Sequence, residues 1–142
     1  MRKFKFFAVL FTTLLISVSF VSCGDDDDDN DNASASSAKL VGRSFAYYYS
    51  GVDGDENPEQ WTITITFKDA TNCSVNDKGF WYIWYDGYKK ESWNKTGSCT
   101  YSVSGDRITL HNYPFLADGG DVIYTYKGTY LLSSGGDVYS EK

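Results

Sequence analysis

Few side chains in this sequence are equipped for chemistry, and their spacing limits what that chemistry could be. A single histidine, His111, stands beside Asn112. Nucleophilic catalysis would need it to share a hydrogen bond with a serine or cysteine and to be oriented by a carboxylate. No sequence motif marks either partner, so His111 reads as a solvated strand end. Carboxylates lie close together at Asp53/Asp55 and Asp118/Asp121. An acid–base pair is defined by separation in space, however, which sequence does not supply. Asp53-Gly54-Asp55-Glu56-Asn57-Pro58-Glu59 places oxygen ligands at alternate positions, a faint echo of a calcium loop. Pro58 occupies the place where that loop needs glycine, and Thr64 the place of its final acid, so a polar loop is expected. The chain is read as non-enzymatic, with no catalytic residue, metal site or cofactor.

Aromatic residues are the more informative feature, at 18% of the chain. In Phe80-Trp81-Tyr82-Ile83-Trp84-Tyr85 every side chain is bulky. A strand sends alternate residues to opposite faces, so this run cannot bury both sets in one core. Tyr47-Tyr48-Tyr49, Tyr88 and Trp93 pose the same problem. Flat amphipathic rings left outside a core stack on sugars or anchor a protein partner. Trp81, Tyr85 and Trp93 are therefore the candidate binding residues, for a glycan or for a protein of an outer-membrane assembly. Nucleic acid is not expected, because phosphate binding needs a basic surface and the chain carries a net charge of −6.

The elements that position these residues are strands. From Lys39 to Lys142 no stretch shows helical spacing of apolar residues, and alternation with period two recurs. It is clearest in Trp61-Thr62-Ile63-Thr64-Ile65-Thr66-Phe67, where large apolar residues alternate with threonine. Further strands are expected at 44–49, 80–85, 88–93, 97–103, 107–111, 122–126, 129–132 and 138–139. Turns are expected at 69–72, 76–79, 86–87 and 104–106, where residues tolerant of unusual dihedrals cluster, with Gly128 a bulge or bend. Eight to ten short strands predict an antiparallel barrel, or alternatively a β-sandwich, and closure into a barrel would remove exposed strand edges.

The N-terminal segment has a different character. Met1 to Lys5 is basic, and Phe6 to Val21 is an unbroken apolar, Ser and Thr run of sixteen residues. That is short of the roughly 20 residues a membrane span requires, and it reads as a secretory signal peptide over 1–22. Phe20-Val21-Ser22-Cys23-Gly24 resembles the lipobox of bacterial lipoproteins. The resemblance implies that Cys23 is acylated and becomes the mature N-terminus, tethering the chain to a membrane. The following Asp25 to Asp29, with Asn30, Asp31 and Asn32, resembles the acidic export signal of surface-exposed lipoproteins in certain Gram-negative anaerobes. It implies display on the outer membrane. Residues 23–38 are expected to form a solvated leash, ending in small residues that cannot build a core.

Residues 39–142 carry ten basic against thirteen acidic side chains and suffice for one core. Leu40-Val41-Gly42-Arg43-Ser44-Phe45, Ile65-Thr66-Phe67 and Tyr101 to Leu110 resemble strands of bacterial lipocalin-like, calycin-type barrels. This resemblance implies the fold and carries little about function. Cys73 and Cys99 remain once Cys23 is set aside. Export to an oxidising compartment would favour a disulfide between them. Two intervening strands, on the other hand, would hold them too far apart.

Overall fold

The computed structural model describes residues 35–83, 85 and 87–142. The leader, Cys23 and the acidic run lie outside these residues, as do Trp84 and Asp86. The chain forms a short helix, α1 (Ser37–Leu40), and eight strands: β1 (Ser44–Val52), β2 (Pro58–Phe67), β3 (Asn72–Ile83), β4 (Lys89–Ser104), β5 (Arg107–His111), β6 (Val122–Tyr126), β7 (Tyr130–Ser133) and β8 (Val138–Glu141). Each pairs antiparallel with the next and β8 returns to β1, so the sheet closes into a barrel in sequence order. The expected all-β barrel is present, and the sandwich alternative is excluded by closure.

The interior is filled by the alternate residues of each strand. Phe45, Ile65, Phe67, Cys73, Val75, Cys99, Tyr101, Ile108, Leu110, Tyr124, Tyr126, Leu131 and Tyr139 are all buried. Phe45 meets Phe67 and Tyr126 edge to face, with centroids 6.0 and 6.4 Å apart, the arrangement the ring quadrupole favours. In β2 the alternation behaves as expected: Ile65 and Phe67 are buried, whereas Thr62, Thr64 and Thr66 occupy the other face.

One end of the barrel is closed by α1 and Arg43. Ser36 caps the helix, its hydroxyl accepting from the Lys39 backbone N–H, as a serine at that position commonly does. Leu40 is fully buried and Ala35 nearly so, and both pack into the hydrophobic core. Arg43 grips Glu141 through two 2.6 Å bonds, donates to the Gly128 carbonyl at 2.7 Å and also bonds the Tyr126 hydroxyl. Its guanidinium lies over the rings of Phe45 and Tyr126. One side chain thus ties the start of β1 to the end of β8 and to the β6–β7 turn. Gly128 sits in that turn at φ +82°, a bend rather than a bulge within a strand.

Three expectations are corrected. Residues 76–79 form no turn; they continue β3, paired with Thr96, Lys95, Asn94 and Trp93. The Asn76 amide bonds Asn94 Oδ1, the Lys95 carbonyl and Thr96 Oγ1, spending across the ladder the polar groups that a turn would have used locally. Segments 88–93 and 97–103 are not separate strands: from Lys89 onward they run together in the 16-residue β4, which brings the count to eight, and Tyr88 stays in the turn. Finally, no strand separates Cys73 from Cys99. They stand directly opposite each other on neighbouring strands.

Candidate functional site

The strands are of unequal length, and the site follows from that. β2, β3 and β4 have 10, 12 and 16 residues, against 5, 5, 4 and 4 for β5 to β8. β8 pairs with β1 only at Phe45 and Ala46, and β5 pairs with β4 only from Thr100 to Ser104. At about 3.3 Å per residue, the β1–β4 side rises roughly 20 Å or more above the short side. Registers between these strands run without a slip, so the inward face of the barrel continues unbroken up the projecting sheet.

On that face the core residues give way to Tyr49, Trp61, Gly79, Trp81 and Trp93. Tyr49 stacks on Trp61 at 3.9 Å and an interplanar angle of 20°. Trp61, Gly79 and Trp93 form one cross-strand row. Gly79 leaves that row open: a Cβ there would meet the Trp93 indole at 2.6 Å, Trp61 Cβ at 2.7 Å and the Gln60 carbonyl at 2.5 Å. Trp81 lies against Trp93 with centroids 4.9 Å apart. The result is a continuous aromatic platform from Tyr49 to Trp81.

Carboxylates hold the indoles in place. Trp93 Nε1 donates to Asp77 at 2.8 Å and Trp81 Nε1 to Glu91 at 3.1 Å. Tyr49 donates to Glu59 at 3.1 Å, and this bond holds its phenol above the usual tyrosine range. Asp77, Trp81, Glu91, Ser92, Trp93, Asn94 and Lys95 line a cleft of about 480 Å³. A smaller one, over Trp61, Ile63, Asp77, Trp81 and Trp93, joins it to the rest of the platform. Fixed ring faces edged by hydrogen-bonding groups are what a pre-formed site for a polyhydroxylated or planar ligand requires.

Of the three binding residues expected from sequence, Trp81 and Trp93 are in contact and Tyr85 lies at the hairpin tip, sharing a groove with Trp81, Tyr82, Ile83 and Glu91. Trp81 is 47% and Tyr85 75% exposed. Phe80 and Tyr82 occupy the opposite face, where Lys90 covers the Phe80 ring at 3.9 Å. Trp61 is new to the site, and Tyr49 joins it from the Tyr47–Tyr49 run of surplus rings. Trp61 belongs to the strand whose alternation most strongly suggests core; only a strand too long for its barrel partners could have signalled otherwise.

Below the platform, the β5–β6 connection closes the barrel mouth. Pro114 packs on Gly97, where a Cβ would come within 2.2 Å of the proline ring. Tyr113 is buried beneath it and shares hydrogen bonding with Tyr124, which in turn engages Tyr139. Burial pushes the Tyr113, Tyr124 and Tyr139 phenols up from their ordinary value. These rings occupy the space that a lipid carrier would keep open.

The remaining candidates fall elsewhere. The Asp53 carboxylate accepts from the Asp55 and Asn57 backbone N–H groups and from the Asn57 amide. It therefore organises its own loop, and these bonds depress its pKa. Among the described residues, no three His, Cys, Asp or Glu side chains converge as a metal site would. His111, by contrast, has both partners that its sequence context concealed. Ser102 Oγ lies 2.8 Å from Nε2 and Asp121 Oδ2 lies 2.9 Å from Nδ1. The three groups come from β4, β5 and the residue before β6, on the outer wall. Acyl transfer also needs N–H donors converging on the developing oxyanion. Ser102 sits in mid-strand opposite Thr109, within the backbone ladder, and this geometry describes a surface hydrogen-bond relay.

Comparison of the chain with protein families, with curated proteins and with solved structures finds no match.

Proposed function

We propose that this protein is a non-enzymatic binding module, held on the outer membrane by an acylated Cys23 and displayed on the cell surface, that takes glycan rings on its aromatic platform. The observation that carries the reading is the row Tyr49–Trp61–Trp93–Trp81 on the projecting sheet, with its indole N–H groups already bonded to Asp77 and Glu91. Rings pre-oriented in this way lose little entropy when a ligand arrives, and the free oxygens of the carboxylates can accept from sugar hydroxyls. Supporting the orientation, β1 runs away from α1, so Ala35 lies at the end opposite the platform. A tether at Cys23 would hold the platform away from the membrane.

Titration of the full chain with neutral oligosaccharides, followed by tryptophan fluorescence, tests the ligand. Saturable quenching that is lost in Trp93→Ala and Trp81→Ala is expected. A second reading is that the same rings are covered by a protein subunit of an outer-membrane assembly, favoured by the exposure of Tyr85 and Tyr88 at the hairpin tip beside the platform. It gains ground if no sugar quenches and the chain instead co-purifies with one membrane protein in a Trp81-dependent way. The anchor is tested separately: labelled palmitate should enter the wild type and be absent from Cys23→Ala.

A further inference from the structure

We propose that Cys73 and Cys99 form an intramolecular cross-strand disulfide that clasps the base of the β3–β4 hairpin, independently of what the platform binds. The two residues face each other in the ladder, and opposite residues of an antiparallel pair have Cα atoms about 4.5–5.5 Å apart. That separation lies within the span a disulfide bridges. Their side chains both point inward, with the sulfurs 2.8 Å apart. Closing the bond needs only a small side-chain adjustment and no backbone movement. The bridge would enclose residues 74–98, which include Asp77, Gly79, Trp81, Glu91 and Trp93, the larger part of the platform. It would lie just below the point where Pro114 crosses Gly97.

The chemistry is thiol–disulfide exchange with an external disulfide, either a small molecule such as oxidised glutathione or a protein disulfide. Cys99 is 7% exposed and Cys73 only 1%, so Cys99 is the less deeply buried of the pair and is taken as the first to react. The Cys99 thiolate attacks the external disulfide and expels one thiolate. Cys73 then loses its proton, attacks Cys99 Sγ and expels the second. Two protons and two electrons leave the protein, and one external disulfide becomes two thiols.

The test incubates the full chain with oxidised glutathione, unfolds it in alkylating reagent and maps the peptides by mass without reduction. A single peptide linked through Cys73 and Cys99 is expected. Reduction with dithiothreitol should then lower Tm by roughly 10–20 °C in the wild type, and have no effect in the Cys73→Ala/Cys99→Ala variant. Separate alkylation of both cysteines would overturn the proposal, as would linkage of either to Cys23 or to a second chain. So would a linked peptide whose reduction leaves Tm unchanged.

Discussion

Gly79 and Trp93 stand opposite each other in the β3–β4 ladder, and the Trp93 indole lies over the glycine where any Cβ would collide with it. A glycine within a strand ordinarily weakens it. Here its bare Cα lets Trp61 and Trp93 close over one backbone position and makes the platform continuous.

Replacing Gly79 is therefore expected to act on stability and site together. In Gly79→Ala the added methyl meets the Gln60 carbonyl as well as the indole, and a backbone oxygen cannot swing aside. A loss of about 1–3 kcal/mol is expected, measured by urea unfolding. A shift in tryptophan emission should accompany it as Trp93 is displaced. Unchanged emission and stability would mean that the row is looser than described.

Arg43 should be the most sensitive exposed-end residue. Its bonds to Glu141, Tyr126 and Gly128 join three separate parts of the barrel end. Arg43→Ala is expected to cost about 1–3 kcal/mol, since it removes the part-buried bonds to Tyr126 and the Gly128 carbonyl and the packing on Phe45. Arg43→Lys should recover less than half, because an ammonium cannot reproduce the planar fork. Equal stability of the lysine variant and the wild type would show that charge alone suffices.

The pH dependence of stability should have two limbs of known sign. Backbone and side-chain bonds from Thr71 and Asn72 lower the Asp69 pKa to about 2. A carboxylate depressed in the folded state contributes stability that is present above its unfolded value near 3.8 and is lost as pH falls towards 2. Tm should therefore drop across that window, and by less in Asp69→Ala. Tyr113 and Tyr124 are raised, so their contribution is present below the unfolded value near 10 and is lost above it. Spectrophotometric titration should show these phenols ionising together with unfolding rather than in a smooth early phase.

The Ser102–His111–Asp121 relay makes a sharp negative prediction. Wild type and Ser102→Ala should hydrolyse p-nitrophenyl acetate at the same rate, and an alkyl fluorophosphonate should not mark Ser102 selectively. Ser102→Ala should cost about 1 kcal/mol for the lost hydrogen bond. A burst of acylation confined to the wild type would make this surface a catalytic site.

What the sequence determined by itself was local. The two-residue alternation of Trp61 to Phe67, the Asp86-Gly87 and Gly105-Asp106 pairs and the scarcity of helical spacing are each contained within a few neighbouring residues, and they suffice for an all-β chain of short strands. The conflict of faces in Phe80 to Ile83 was legible for the same reason. Tertiary structure decided everything that depends on which strands lie side by side and how far each extends. The pairing of Cys73 with Cys99, the meeting of Ser102, His111 and Asp121, and the recruitment of Trp61 and Tyr49 to the platform are set by register between strands distant in the chain. Asn76 to Gly79 has the composition of a turn and became strand, because its cross-strand bonds to Asn94 and Thr96 and the indole above Gly79 outweighed local preference.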